Sequence, residues 1–289
     1  MHYVKVKGIL SVRNGMNLYR GCTHGCIYCD SRSACYQMGH DFSDVAVKEN
    51  AIELLDCALR HRRKRCMIGT GSMSDPYMPL ELETGLVRDA LTLIARYGFG
   101  VTVLTKSDLV LRDLDLLTRI NETAKCVVQM TLTTYDDGLC RMLEPNVCPT
   151  GKRFEALKRL RDAGIPAVVW LTPVLPFLND TMENISGILE LCAEAGVRGV
   201  VSFGMGLTLR EGNREYFYQQ LDRLFPGLKE QYIRTYGNRY CVASPGEREL
   251  AALFARNCAA AGISHSNDEI FSWLSTLDER EADSQMRFF

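Results

Sequence analysis

Short, strongly apolar runs of strand length recur along this chain, each separated from the next by an amphipathic helical stretch. That alternation limits the fold more than any other feature. The runs fall at residues 66–69, 101–105, 127–132, 167–171 and 199–203, and 17–19 adds a sixth, first strand. Helical spacing of apolar residues covers 82–97, 109–120, 151–163 and 182–195, with an earlier helix inside 45–61 carried by Ile52, Leu55 and Leu59. Gly98, Gly164 and Gly196 stand where helix C-terminal glycines belong. Asp180 to Glu183 reads as a capping box opening the last of these helices. Near-continuous apolar strands joined by helices imply a parallel sheet covered by helices, because parallel strands need crossover connections. Periodicity alone does not separate an open sheet from a barrel.

The ends of the chain depart from this pattern. Residues 3–11 alternate apolar and charged side chains and read as an extended lead-in. Beyond Gly206, residues 216–224 and 246–261 read as helices, with a turn at Pro226-Gly227 between them. The chain therefore divides into residues 1–206 and a mostly helical extension, 207–289, packed on the first part. The charged tail from Asp278 reads as mobile.

Within the turn-like stretch from Gly21 to Asp30, Cys22, Cys26 and Cys29 stand in a C-x3-C-x2-C array. One loop can wrap three such thiolates around a single inorganic centre, and soft thiolates select iron–sulfur clusters, zinc or cuprous copper. Three thiolates on a four-iron cluster leave one iron open to a substrate or second small molecule. A structural zinc needs a fourth ligand, for which Cys35, His24 and His40 are candidates. The remaining thiols at Cys126, Cys140 and Cys148 match no compact ligand pattern and read first as core or free cysteines.

The array, with the aromatic Tyr28 just ahead of its last cysteine, resembles the signature of the radical S-adenosylmethionine (SAM) superfamily. The resemblance implies an α/β fold, a partial (β/α)6 TIM-type barrel, and six strand–helix units are present. It implies a 4Fe-4S cluster on Cys22, Cys26 and Cys29, with SAM on the open iron and Tyr28 near its adenine. In β/α barrels the chemistry sits at the C-terminal ends of the strands. The loops there are Gly-rich at residues 69–81, with Ser72, Ser74 and Asp75, and Thr105-Lys106-Ser107 after the next strand. Gln129 and Thr131 share a face of the following strand. These segments resemble the spore photoproduct lyase branch. By that resemblance Lys106 binds the SAM carboxylate, Thr131 the ribose, and Ser74 and Asp75 line the cofactor pocket, with Ser72, Ser107 and Gln129 beside them. The loop at 172–180 is similar to a family loop near the SAM methionine. The lyase carries a hydrogen-donating cysteine just ahead of its Ser-Asp pair, where this chain has Ser72-Met73, so lesion repair is in doubt. Cys140, following the fourth strand, is the candidate hydrogen donor in its place. Overall the motifs are most like the radical SAM mobile pair proteins, which implies a second radical SAM protein as partner and a flavodoxin or ferredoxin-type reductant.

The expected activity is thus reductive cleavage of SAM to a 5′-deoxyadenosyl radical that abstracts hydrogen from a substrate. The alternatives are a non-catalytic iron–sulfur or zinc protein that binds or senses, and a nucleic-acid lesion lyase. With 46% hydrophobic and 24% charged residues the composition is that of an ordinary globular protein. A formal net charge of -1 gives no global field for nucleic acid or anionic membrane. The basic run from Arg60 to Arg65 reads as a solvated helix end, favoured there by the helix dipole. Twelve cysteines spread through 289 residues, with no signal core or membrane span, suggest a reducing cytoplasm.

Overall fold

The computed structural model describes residues 1–277. The chain opens with β1 (His2–Val4), β2 (Gly15–Met16) and β3 (Tyr19–Arg20), crosses the cysteine loop, and returns as β4 (Ala46–Lys48) into α1 (Ala51–His61). Next come β5 (Met67–Thr70), α2 (Glu81–Thr84), α3 (Leu86–Tyr97), β6 (Gly100–Thr105), α4 (Leu114–Thr123) and β7 (Cys126–Thr131). After them follow α5 (Asp137–Leu143), α6 (Thr150–Asp162), β8 (Ala167–Trp170), α7 (Met182–Ala195) and β9 (Gly199–Val201).

One six-stranded sheet runs in the order β2-β5-β6-β7-β8-β9, and every pairing in it is parallel. This is the parallel sheet expected from the alternation, in the α/β partial barrel that the resemblance implies. Three details differ from the sequence reading. The first barrel strand is the two-residue β2, not residues 17–19; Tyr19 turns away to pair antiparallel with Val47 in a separate sheet ordered β1-β4-β3. Residues 45–50 are mostly strand and turn, so the first long helix begins only at Ala51. The helix read at 82–97 is interrupted at Gly85, which adopts φ 63° between α2 and α3.

Alternate residues of the strands face two different surroundings, as a pleat requires. Val101, Val103, Val128, Met130, Val169 and Val200 point outward and are fully buried beneath the helices. Burying each such side chain contributes about 1.5–3 kcal/mol. Inward, Val127, Val168 and Val201 close the N-terminal end of the barrel against Ile270 and Leu274. Those two come from α11 (Asn267–Ser275), the last described helix.

The extension also contains β10 (Gly206–Thr208) and β11 (Cys241–Ala243), an antiparallel pair, with α8 (Asn213–Leu224), α9 (Leu228–Tyr236) and α10 (Glu247–Ala260). Among the described residues this part is mostly helical. Leu207, Leu209, Phe217, Tyr232 and Val242 share one apolar cluster with Cys26, Ile27 and Tyr28. The tail from Asp278, read as mobile, lies outside the described residues. Among the described residues no helix is long and apolar enough to cross a membrane.

Candidate functional site

At the C-terminal ends of the barrel strands lies a cavity of about 630 Å³. Cys22, Cys26 and Cys29 line it from the loop after β3, Gly71, Ser72, Met73 and Asp75 from the loop after β5, and Leu104, Thr105 and Lys106 from the end of β6. Thr131 and Trp170 enter from β7 and β8, and β10 and β11 close the far side through Leu207, Thr208, Cys241 and Val242. Three thiols from one loop and a lysine from a distant strand end thus line one chamber.

Burial sets the state of the thiols. It pushes Cys22 up to about 12 and Cys26 well above its ordinary value, with the nearby carboxylates adding to the effect. Such thiols give up their protons when a metal cation takes the proton's place. Among the described residues the three sulfurs do not all lie within 4.8 Å of one another. A structural zinc would need a fourth ligand besides the three thiolates. Of the candidate fourth ligands only His24 lines the cavity. Its Nδ1 lies 3.5 Å from Asp75, and burial lowers its pKa and favours the neutral ring. Cys35 is exposed beside Arg210, and His40 packs edge-on against His2.

Asp75 ties two segments together. Its carboxylate accepts from the Thr105 hydroxyl at 2.7 Å, the Lys106 backbone N–H at 2.7 Å and the Tyr77 N–H at 2.9 Å. So occupied, it acts first as a clasp between the β5 and β6 loops. Burial opposes the charge on Lys106, but the neighbouring Cys26 and Glu144 groups outweigh that and raise its pKa.

Behind the cysteine loop sits a feature that sequence reading missed. Glu144 and Arg153 are both wholly inaccessible and paired, and the Tyr28 hydroxyl donates to the same carboxylate. Burial would raise the Glu144 carboxyl, but the Arg153 and Lys106 charges more than offset it and hold it below the usual range. In sequence these are two ordinary charged residues, one at the C-terminal end of the short helix α5 and the other within α6. The one available signal was the adjacency of Glu144 to Pro145, which ends α5 and fixes the turn.

The sequence-derived set is only partly brought together. Tyr28, Ser72, Asp75, Lys106 and Thr131 line the cavity with the three cysteines. Ser74 is buried outside its lining. Ser107 instead caps a short 3-10 helix, its Oγ accepting from Leu109 N–H at 3.2 Å. Gln129 lies one layer below, donating to Thr102 and accepting from Trp170 Nε1 at 2.8 Å, so its contact with the cavity is indirect. Cys140 is displaced from the role considered for it: 1% exposed, it faces Glu144 at 3.7 Å and is absent from the lining. Among the described residues the thiol that lines the cavity besides the array is Cys241. Cys126 sits in the outer core and Cys148 donates to the Lys106 carbonyl at 3.3 Å, so the three spare thiols face separate surroundings.

Comparisons with known proteins agree with this geometry. The chain is 33% identical over 249 residues to an uncharacterised protein of Mycobacterium tuberculosis, covering 83% of this chain and 72% of that one. An uncharacterised protein of Methanocaldococcus jannaschii is 35% identical over 174 residues, 60% of this chain and 64% of the other. Among solved structures, spore photoproduct lyase complexed with dinucleoside spore photoproduct superposes with a TM-score of 0.62 at 16% identity, over 84% of this chain and 72% of that one. The radical SAM methyltransferase TsrM of Kitasatospora setae, with cobalamin and a [4Fe-4S] cluster bound, gives 0.56 at 13% identity over 84% and 52%. These structural likenesses show the shared fold. Residues 16–192 match the Radical SAM superfamily model, and with the cysteine loop, the parallel partial barrel and the relatives in agreement, the chain belongs to the radical SAM superfamily.

Proposed function

We propose that this protein holds a 4Fe-4S cluster on Cys22, Cys26 and Cys29, binds SAM beside it, and uses the pair to abstract hydrogen from a substrate in the same cavity. The observation that carries the reading is the convergence of the three thiols with Lys106 and Thr131 on one chamber at the strand ends. When bound, the cluster supplies the electron that cleaves SAM to methionine and a 5′-deoxyadenosyl radical. The rest is the work of the chain. Lys106 presents a fixed positive charge for the SAM carboxylate. Tyr28 offers a ring face beside it, and Thr131 a hydroxyl from the neighbouring strand for the ribose. The apolar wall of Leu104, Met205, Leu207 and Val242 limits water at the reacting end.

The electron is proposed to come from a flavodoxin or ferredoxin-type reductant in a low-oxygen compartment, and a second radical SAM protein is the proposed partner. The substrate is left open, because Ser72-Met73 and Cys241 give this cavity a different set of hydrogen donors from the lyase branch. Metal and sulfide analysis after anaerobic reconstitution tests the cofactor assignment. Four irons and four sulfides per chain, lost when the three cysteines are changed to alanine, are expected. One zinc per chain without iron or sulfide would overturn it in favour of a structural metal.

A further inference from the structure

We infer that Arg153, working through Glu144 and Tyr28, is the positioning residue that sets the shape of the cofactor cavity from behind. The inference rests on the proposed cofactors only for its activity readout. Its starting point is that one fully buried guanidinium reaches the back of three cavity walls at once. Nη1 donates to the Thr131 carbonyl at 3.0 Å, at the end of β7. Nε donates to the Cys148 carbonyl at 2.9 Å, and the thiol of Cys148 in turn donates to the Lys106 carbonyl at 3.3 Å, at the end of β6. Nη2 pairs with Glu144, which receives the Tyr28 hydroxyl from the cysteine loop.

The end of α5 and the turn after it, which carries Glu144, grip the cysteine loop through their backbone. Ile27 N–H donates to the Leu143 carbonyl at 3.0 Å, and Asn146 N–H to the His24 carbonyl at 3.2 Å. The loop between Cys22 and Cys29 is therefore anchored on both sides of Cys26. A planar fork with donors in fixed directions can do this where a lysine cannot, since one ammonium on a flexible stem has no geometry to meet three acceptors on three segments. Buried ion pairs are costly to assemble and do not by themselves argue for stability. Placement of this pair behind the thiols, the lysine and the β7 threonine argues for geometry as what it supplies. None of its members is among the array cysteines, and Arg153 and Glu144 do not line the cavity.

Two conservative variants test this. Tyr28→Phe removes one hydroxyl and leaves the buried pair intact; Arg153→Lys keeps the charge for Glu144 and loses the fork. Amide hydrogen exchange of the cysteine-loop segment in the protein as purified is read first, because it needs no cofactor. Both variants are expected to speed exchange at Ile27 by roughly tenfold or more while α3 and α7 keep wild-type protection. After anaerobic reconstitution, both are expected to retain the wild-type iron content but to need about 10- to 100-fold more SAM for half-maximal change in the electron paramagnetic resonance of the reduced cluster. Wild-type exchange together with wild-type SAM dependence in both variants would overturn the inference. Wild-type protein that takes up no iron would instead contradict the proposed function, and exchange at Ile27 would still decide the role of Arg153.

Discussion

The ammonium nitrogen of Lys106 stands 5.9 Å from the centre of the Tyr28 ring. The two residues come from different walls, the end of β6 and the cysteine loop, and meet only because Asp75 fixes the Lys106 backbone at 2.7 Å. The lysine is thus held at its root by the β5 loop and at its head by an aromatic face. Lys106→Met is expected to leave iron content unchanged and raise the SAM concentration for half-maximal activity about tenfold to a hundredfold, the loss of one charged hydrogen bond. SAM titration of the reconstituted variant checks it, and an unchanged half-saturation removes Lys106 from the carboxylate role.

Gly71 brings the β5 loop against β6 more closely than any side chain permits. It adopts φ +99°, and a Cβ there would stand 1.9 Å from the Leu104 carbonyl oxygen. Gly204, also on the cavity, has φ +94° but only the Glu247 side chain nearby, at 3.5 Å. Gly71→Ala is expected to cost about 3–5 kcal/mol or prevent soluble expression, combining backbone strain with overpacking. Gly204→Ala is expected to cost about 1–2 kcal/mol from the backbone alone. Urea denaturation of the two variants separates them; equal losses would mean that the β5–β6 approach is not tight.

Asp180 joins the β8 loop to the extension, its Oδ2 accepting from the Ser244 hydroxyl at 2.6 Å. Burial raises its pKa above 3.8, and the serine bond only partly offsets this. The folded state therefore holds the proton more tightly than the unfolded chain. That contribution to stability is complete below the unfolded value and is lost as pH rises through the folded one. Asp180→Asn, which is never charged, is expected to match or exceed wild-type thermal stability at pH 7 and to lose any advantage at pH 4. Melting curves across that range decide it, and a variant less stable at pH 7 than at pH 4 relative to wild type would reverse the sign.

How far the chain could be read in advance depended on whether a feature was local. The strands at β5 to β9 announce themselves because each is a short, mostly apolar run between helices, as in Val127 and Val128 or Val168 and Val169. β2 is two residues long, so it has no period to detect, and the apolar pattern of Leu18 and Tyr19 drew the assignment to the wrong sheet. The cysteine array is legible from spacing alone. Gln129 and Thr131 share a face, as alternation demands, yet depth along the barrel puts only Thr131 on the cavity, and depth is a tertiary quantity. Glu144 and Arg153 were illegible for a different reason: a buried charge and a solvated one have the same letter, and only their meeting behind Tyr28 distinguishes them.

The most direct measurement is formation of 5′-deoxyadenosine by protein reconstituted anaerobically with iron and sulfide, then given SAM and dithionite. Turnover by the wild type, together with none above background when Cys22, Cys26 and Cys29 are all alanine, is the expected result. A fully loaded wild type that yields no more 5′-deoxyadenosine than the triple variant would contradict the radical chemistry assigned to this cavity.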